Sequence, residues 1–293
     1  MGEVRSAMLV ACRGAPAGGV QFEGETSVPF AQVGDVRLFY TDEGRGEPCL
    51  LLIHGWACDS HDWMWQFEAF TDAHRVVAAD NRGHGRSSIT ADGYTPRVFA
   101  GDLARLVEIM GAGPVVAVGH SVGGAIASAL AVEYPALVRA VVVVDPAYGV
   151  EGQRADFIDN VLEGLRGTSG PETMEAAFGV LDAAMTPSAL KAWHRRRALG
   201  TDWAVVVQTL VGTYEVQEQF GQRAQSELYL YGRRCPVLAI YADPDRAAWE
   251  ATTHQHPYSR HVAWQGSGHW LHQERPDEFN ALVLDWVAGL PDP

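Results

Sequence analysis

Positive charge is in short supply in this chain of 293 residues. Lysine and arginine number 22 against 36 aspartates and glutamates, a formal net charge of −14. A surface of that sign repels phosphate backbones and anionic headgroups, which makes nucleic acid and membrane poor partners. It also favours a neutral, apolar substrate over an anionic one. Cysteine is sparse as well. Cys12, Cys49, Cys58 and Cys235 have neither metal-ligand spacing nor the density of a disulfide framework, and read as free thiols of a cytoplasmic protein. No apolar run approaches the ~18 residues that a bilayer crossing needs. Internal repeats and low-complexity tracts are missing too. The oligomeric state is left open, a homodimer included.

Residues 1–26 read as an irregular lead-in. Leu9-Val10-Ala11-Cys12 resembles a lipoprotein cleavage box but lacks the apolar core of ~7–15 residues that a signal peptide carries. Met1-Gly2 with Ser6 meets only the loose myristoylation pattern.

What is present is an alternation of apolar strands and amphipathic helices. A hairpin over 28–40, turning at Gly34-Asp35, opens the domain. Cys49–Ile53 and Arg75–Ala79 are continuous apolar runs, the mark of strands buried on both faces. Helical periodicity follows each of them, over 62–70 and 99–110. Val115–Val118 and Val141–Val144 continue the series. Such alternation predicts a parallel sheet with helices on both faces. From about Ala147 to Arg234 it stops. Helical patterns over 154–165, 171–184, 187–199 and 203–220 fill that gap, with Pro171 and Pro187 placed as first-turn prolines. The sheet resumes at Pro236–Tyr241, and a short strand at His261–Trp264 and a helix over 277–287 close the chain. The expected organisation is a core domain of residues 27–146 and 235–293, interrupted by a helical cap at 147–234.

Gly119-His120-Ser121-Val122-Gly123 lies between a β-branched run and a helix of small residues. Gly-x-Ser-x-Gly in that context is a nucleophile elbow, a turn so sharp that the flanking positions admit no β-carbon. Gly124 allows the following helix to approach the sheet. A serine hydroxyl needs a base, an orienting acid and an oxyanion site. His269, in Gly266-Ser267-Gly268-His269 after the last strand, stands where the base belongs in a Ser–acid–His order. Asp245 is the preferred acid. Asp145, ending the strand before the cap, is the alternative, and Asp243 is expected to bond the turn at Pro244. The amides of Trp56 and Val122 are the expected oxyanion donors. His54, His84 and His120 sit where they shape loops. His254, His256, His261 and His272 match no zinc-ligand spacing, so no metal and no other cofactor is expected.

His54-Gly55-Trp56, Asp80 to Ser87, Gly119 to Gly124 and Gly268-His269-Trp270 stand in the order and spacing of the α/β-hydrolase fold, which the chain resembles from about residue 28 to its end. The resemblance implies an eight-stranded, mostly parallel sheet, a Ser-His-Asp triad and a helical cap between strands six and seven. One position departs from it: Ala242 replaces the usual glycine of the strand-seven motif Gly-x-x-Asp. The chemistry that follows is a serine hydrolase, an esterase or lactonase, cleaving a carboxylic ester or lactone of a neutral hydrophobic substrate through an acyl-enzyme. Phe157, Met174, Phe178, Leu181, Met185, Trp193 and Trp203 of the cap are candidates to roof the pocket. Two alternatives remain. A carbon–carbon bond hydrolase of ring-cleavage products would need a pocket arginine, for which Arg195 to Arg197 and Arg233-Arg234 are candidates. A ligand receptor on the same fold would need no chemistry at all.

Overall fold

A computed structural model describes residues 29–184 and 186–291. The lead-in with its two motifs, Cys12, Val28 and Met185 lie outside these residues.

Eight strands form one sheet: β1 (Phe30–Val33), β2 (Val36–Glu43), β3 (Leu50–Ile53), β4 (Val76–Ala79), β5 (Val115–His120), β6 (Val138–Val144), β7 (Val237–Tyr241) and β8 (Arg260–Ala263), in the spatial order β1-β2-β4-β3-β5-β6-β7-β8. Only β1–β2 and β2–β4 run antiparallel. The parallel strands divide their side chains between two cores by simple alternation. Leu51, Ile53, Val115 and Ala117 join one core, with α2 (Pro96–Met110) and α3 (Val122–Glu133). Leu50, Leu52, Val116 and Val118 face the other, with α1 (Phe67–Thr71) and the C-terminal helix (Pro276–Ala288). Burial on both faces is why these strands lack a polar alternate residue.

Helix α2 shows how local chemistry sets an element's ends. Thr95 caps it by accepting from the Val98 amide at 3.2 Å, Pro96 sits in the first turn, and Gly111 ends it at φ 56°. The expected helix over 62–70 is instead a 3₁₀ turn (Ser60–Trp63) followed by α1. Between them Gln66 is buried and donates its side-chain N–H to the His272 carbonyl at 2.8 Å, tying the break to the opposite end of the chain.

Five helices fill the interval between β6 and β7: α4 (Gln153–Arg166), α5 (Gly170–Leu181), α6 (Ser188–Gly200), α7 (Trp203–Tyr214) and α8 (Arg223–Leu230). They are the inserted helical cap. The pattern over 203–220 stops at Tyr214, and α8 is an element the periodicity did not reveal. Pro171 lies in the first turn of α5, whereas Pro187 precedes α6 as its cap residue, in extended geometry (φ −55°, ψ 140°). Then α9 (Pro244–Ala251), α10 (Leu271–Glu274) and α11 (Pro276–Ala288) complete the chain. No helix of the described residues is long and apolar enough to cross a membrane.

Candidate active site

The site forms at the C-terminal edge of the parallel strands, where open α/β sheets place their ligands. Pairing in β5–β6 ends with His120 opposite Val144. The next residues are Ser121 and Asp145, so register alone sets them side by side.

Ser121 sits at φ 54°, ψ −119°, a conformation a non-glycine residue tolerates only when its surroundings impose it. The glycines impose it. A β-carbon on Gly119 would overlap the Gly123 carbonyl, and one on Gly123 would overlap the Ile53 carbonyl. Gly124 lies against Pro146, where an added β-carbon would come within 2.7 Å of the proline ring. The elbow is thus a close approach of three backbone segments.

His269 is reached from β8 through a loop anchored on both sides. Its amide donates to the Leu181 carbonyl of α5 at 2.9 Å, and the Gly268 amide donates to Glu274 Oε2 at 2.7 Å. The ring donates Nδ1–H to Asp145 Oδ2 at 2.6 Å, which fixes the tautomer and leaves Nε2 as acceptor. Ser121, Asp145 and His269 all line one cavity of about 90 Å³ under the cap. Among the described residues, no protein group is hydrogen-bonded to Ser121 Oγ or to His269 Nε2, and both residues line the cavity.

The structure brings Asp145, the alternative acid of the sequence reading, to His269 and leaves the preferred Asp245 away from it. Asp243 accepts from the amides of Asp245 (2.9 Å) and Arg246 (3.4 Å), and with Pro244 in the first turn it starts α9 directly after β7. That helix carries Asp245 to the exposed outer side and turns Arg246 inward. Arg246 donates to Asp145 Oδ1 at 2.5 Å and to the carbonyls of Pro146 and Tyr148. Burial by itself would raise the Asp145 carboxyl. The Arg246 guanidinium and the His269 hydrogen bond outweigh it and hold the group well below the usual carboxylate range.

The two expected oxyanion donors have no carbonyl partner in the turns and loops of the described residues. Trp56 and Val122 both line the cavity. The Gly55 carbonyl accepts from His54 Nδ1 at 2.8 Å, while His54 Nε2 accepts from the Asn81 amide at 2.9 Å. Because a trans peptide is planar, a Gly55 carbonyl held toward His54 turns the Trp56 N–H the opposite way. The Trp56 indole donates to the Val206 carbonyl of α7 at 2.9 Å, pinning this loop to the cap.

Behind His269 lies a buried polar group. Asp62 accepts from Arg197 of α6 at 2.8 Å and from Gln273 at 2.7 Å. Its other oxygen faces His120 Nδ1 at 3.2 Å and His272 Nε2 at 3.4 Å, and His120 Nε2 lies 3.0 Å from the His269 carbonyl. Asp62, His120 and His272 are the one three-residue group of metal-binding type among the described residues. Arg197 already neutralises the carboxylate, and a cation would meet that guanidinium. The arrangement suits a brace between cap, elbow and the His269 loop. His272 is therefore drawn inward, away from His254, His256 and His261.

Of the proposed cap residues, Phe157 and Leu181 line the cavity. Met174 and Phe178 are buried outside the cavity lining, Phe178 against the Trp56 and Trp270 rings of the sheet domain, and Trp193 is partly exposed. None of the suggested arginines reaches it: Arg195 pairs with Glu175, Arg197 with Asp62 and Arg233 with Glu250. The arginines that do are Arg154 and Arg246, neither recognised beforehand. Arg154 was legible, since Arg154, Phe157, Ile158 and Val161 share one helical face and all line the cavity. A larger groove of about 630 Å³, bordered by Asp35, Arg97, Arg105 and Glu133, contains none of these residues.

Comparison with known proteins agrees with this architecture. The chain is 33% identical over 264 residues to an (E)-2-((N-methylformamido)methylene)succinate hydrolase of Acinetobacter baylyi, covering 86% of this chain and 94% of that protein. It is 29% identical over 310 residues to epoxide hydrolase A of Mycobacterium tuberculosis, covering 87% and 95%. The solved structure of an esterase from Exiguobacterium antarcticum superposes with a TM-score of 0.77 at 19% identity, over 89% of this chain and 99% of that one, a likeness of fold. Residues 48–276 match the α/β-hydrolase fold family model, and the chain belongs to that family of hydrolases.

Proposed function

We propose that the protein is a serine hydrolase that cleaves a carboxylic ester or lactone with a small apolar body through an acyl-enzyme. The observation that carries this reading is the 2.6 Å His269 Nδ1–Asp145 Oδ2 hydrogen bond, formed in the cavity that also holds Ser121 on its elbow.

His269 Nε2 takes the proton of Ser121 Oγ as the hydroxyl attacks the carbonyl carbon, and Asp145 stabilises the resulting imidazolium. The amides of Trp56 and Val122 stabilise the tetrahedral oxyanion; one such donor is worth ~3–4 kcal/mol in comparable sites. The imidazolium returns its proton to the leaving alkoxide, and water activated by His269 then cleaves the acyl-serine. In a lactone the leaving alkoxide stays tethered to the acyl group.

Chemistry separates this reading from epoxide opening. A serine oxygen attacking an epoxide carbon would form an ether, which the same base and water do not cleave, whereas an acyl-serine is hydrolysable. A neutral donor-lined oxyanion position likewise suits a carbonyl oxygen. An unencumbered hydroxyl beside an oriented imidazole favours an enzyme over a receptor. The test is Ser121→Ala assayed on 4-nitrophenyl butyrate, with phenylmethylsulfonyl fluoride labelling of the wild type followed by mass spectrometry. Turnover should vanish in the variant and the label should map to Ser121. Residual turnover above ~1% of wild type would overturn the assignment, because triad members act as a unit.

A further inference from the structure

The cavity wall holds hydrogen-bond donors that have nothing to donate to. Tyr214, at the end of α7, lines the cavity and is only 6% exposed, yet its hydroxyl makes no hydrogen bond to any described residue. Burial pushes its pKa well above the ordinary phenol value, so it stays a donor. Arg246 commits both terminal nitrogens to Asp145, Pro146 and Tyr148, and its Nε is buried without a partner. Arg154 heads the α4 stripe, and its nearest carboxylate is Asp243 at 3.9 Å, a group that also caps α9.

The charges do not balance either. Two guanidinium groups, Arg154 and Arg246, line the cavity against the single carboxylate of Asp145, which is already shared with His269. Burial and, after it, the neighbouring Arg246 charge lower the Arg154 pKa, while Asp145 and Asp243 act the other way. In a protein of net charge −14, this is a pocket of the opposite sign.

We propose that Arg154 and Tyr214 form an anion subsite, and that the substrate is an ester or lactone carrying a carboxylate at the end remote from the scissile carbonyl. A guanidinium with one phenol supplies the donors a carboxylate accepts. A phosphate dianion would need more donors and would be repelled more strongly by the protein as a whole. The apolar side chains of Phe157, Ile158 and Val161 run along the same face and would hold a short hydrocarbon link between the carboxylate and the reacting carbonyl. The sequence-based expectation of a neutral substrate followed from the average charge, and an average does not describe one cavity.

This inference rests on the serine-hydrolase reading for where the carbonyl binds, but its test does not depend on turnover. In the Ser121→Ala protein, monomethyl glutarate and dimethyl glutarate are titrated by calorimetry, two probes of similar size that differ by one charge. The monoester anion should bind about tenfold more tightly than the diester, the range of one charge-assisted contact. Arg154→Gln in the same background should abolish that preference and leave diester binding unchanged. Arg154→Lys should retain part of it, and Tyr214→Phe should reduce it about threefold. Arg154 is 49% exposed as a side chain, so its replacement should leave the melting temperature unaltered. Equal affinities for the two probes, no binding of the anion, or an equal loss for both in Arg154→Gln would overturn the subsite. Residual turnover in Ser121→Ala would instead overturn the catalytic reading and leave this comparison valid.

Discussion

Replacing Asp145 by asparagine keeps the side-chain shape and removes one charge with two partners. His269 loses the carboxylate acceptor at 2.6 Å, and Arg246 loses its ion pair at 2.5 Å. The first loss acts on the reaction. An amide can present a donor to the ring, favouring the wrong tautomer, and it cannot balance an imidazolium. In a triad this costs ~10³–10⁴ in kcat, or about 4–5.5 kcal/mol. The second loss acts on the fold, because a guanidinium only 9% exposed is left without its counter-charge. Breaking such a pair costs ~3–5 kcal/mol, and the retained bonds to the Pro146 and Tyr148 carbonyls put the value at the lower end. At ~2–4 °C per kcal/mol the melting temperature should fall by roughly ten degrees. Asp245→Asn changes an exposed residue, so it should stay within ~0.5 kcal/mol and keep its rate. Initial rates on 4-nitrophenyl butyrate, measured where all variants are folded, and melting by circular dichroism read the two effects separately. The reasoning fails if Asp145→Asn keeps more than ~10% of kcat, or if Asp245→Asn is the variant that loses orders of magnitude.

Two further outcomes concern the frame of the site. Arg197→Met should destabilise the protein by ~3–5 kcal/mol, because Asp62 would remain buried without its cation; an unchanged melting temperature would show that the brace between α6 and the His269 loop contributes nothing. Stability should also fall as pH drops from 6.5 toward 4, because burial pushes His84 down to about 3 and His272 down to about 4. In that window the unfolded chain binds protons that the native state refuses, at up to about 1.4 kcal/mol per pH unit for each ring. Asp62 and Asp145 are held below the ordinary value of 3.8, so the stability they contribute persists through this window and is lost only as pH falls further. Urea unfolding at about pH 7 and about pH 5 reads the difference through the midpoint, and a flat or rising stability on acidification would contradict it.

Local chemistry was enough for much of this protein. Buried strands such as Leu50–Ile53 announce themselves because both faces must be apolar, and the elbow is legible because only glycine fits beside Ser121. His269, His54 and His84 were singled out by motif position, and the structure places His269 against Asp145 and the other two rings on loop carbonyls. The cap was visible as a break in the alternation. Which aspartate meets His269 was not legible there, because the distance from a strand end to an aspartate does not say whether the intervening residues turn or wind into a helix. Asp243 and Pro244 start α9 at once, which sends Asp245 outward, while the β5–β6 register sets Asp145 beside Ser121. The same winding brings Arg246 inward, and the α4 face brings in Arg154, giving one cavity a charge opposite to the chain's total. Composition and short-range pattern determine which segments are buried and which turn is strained. Which charges meet is decided by register and helix phase, and those exist only once strands distant in sequence have paired.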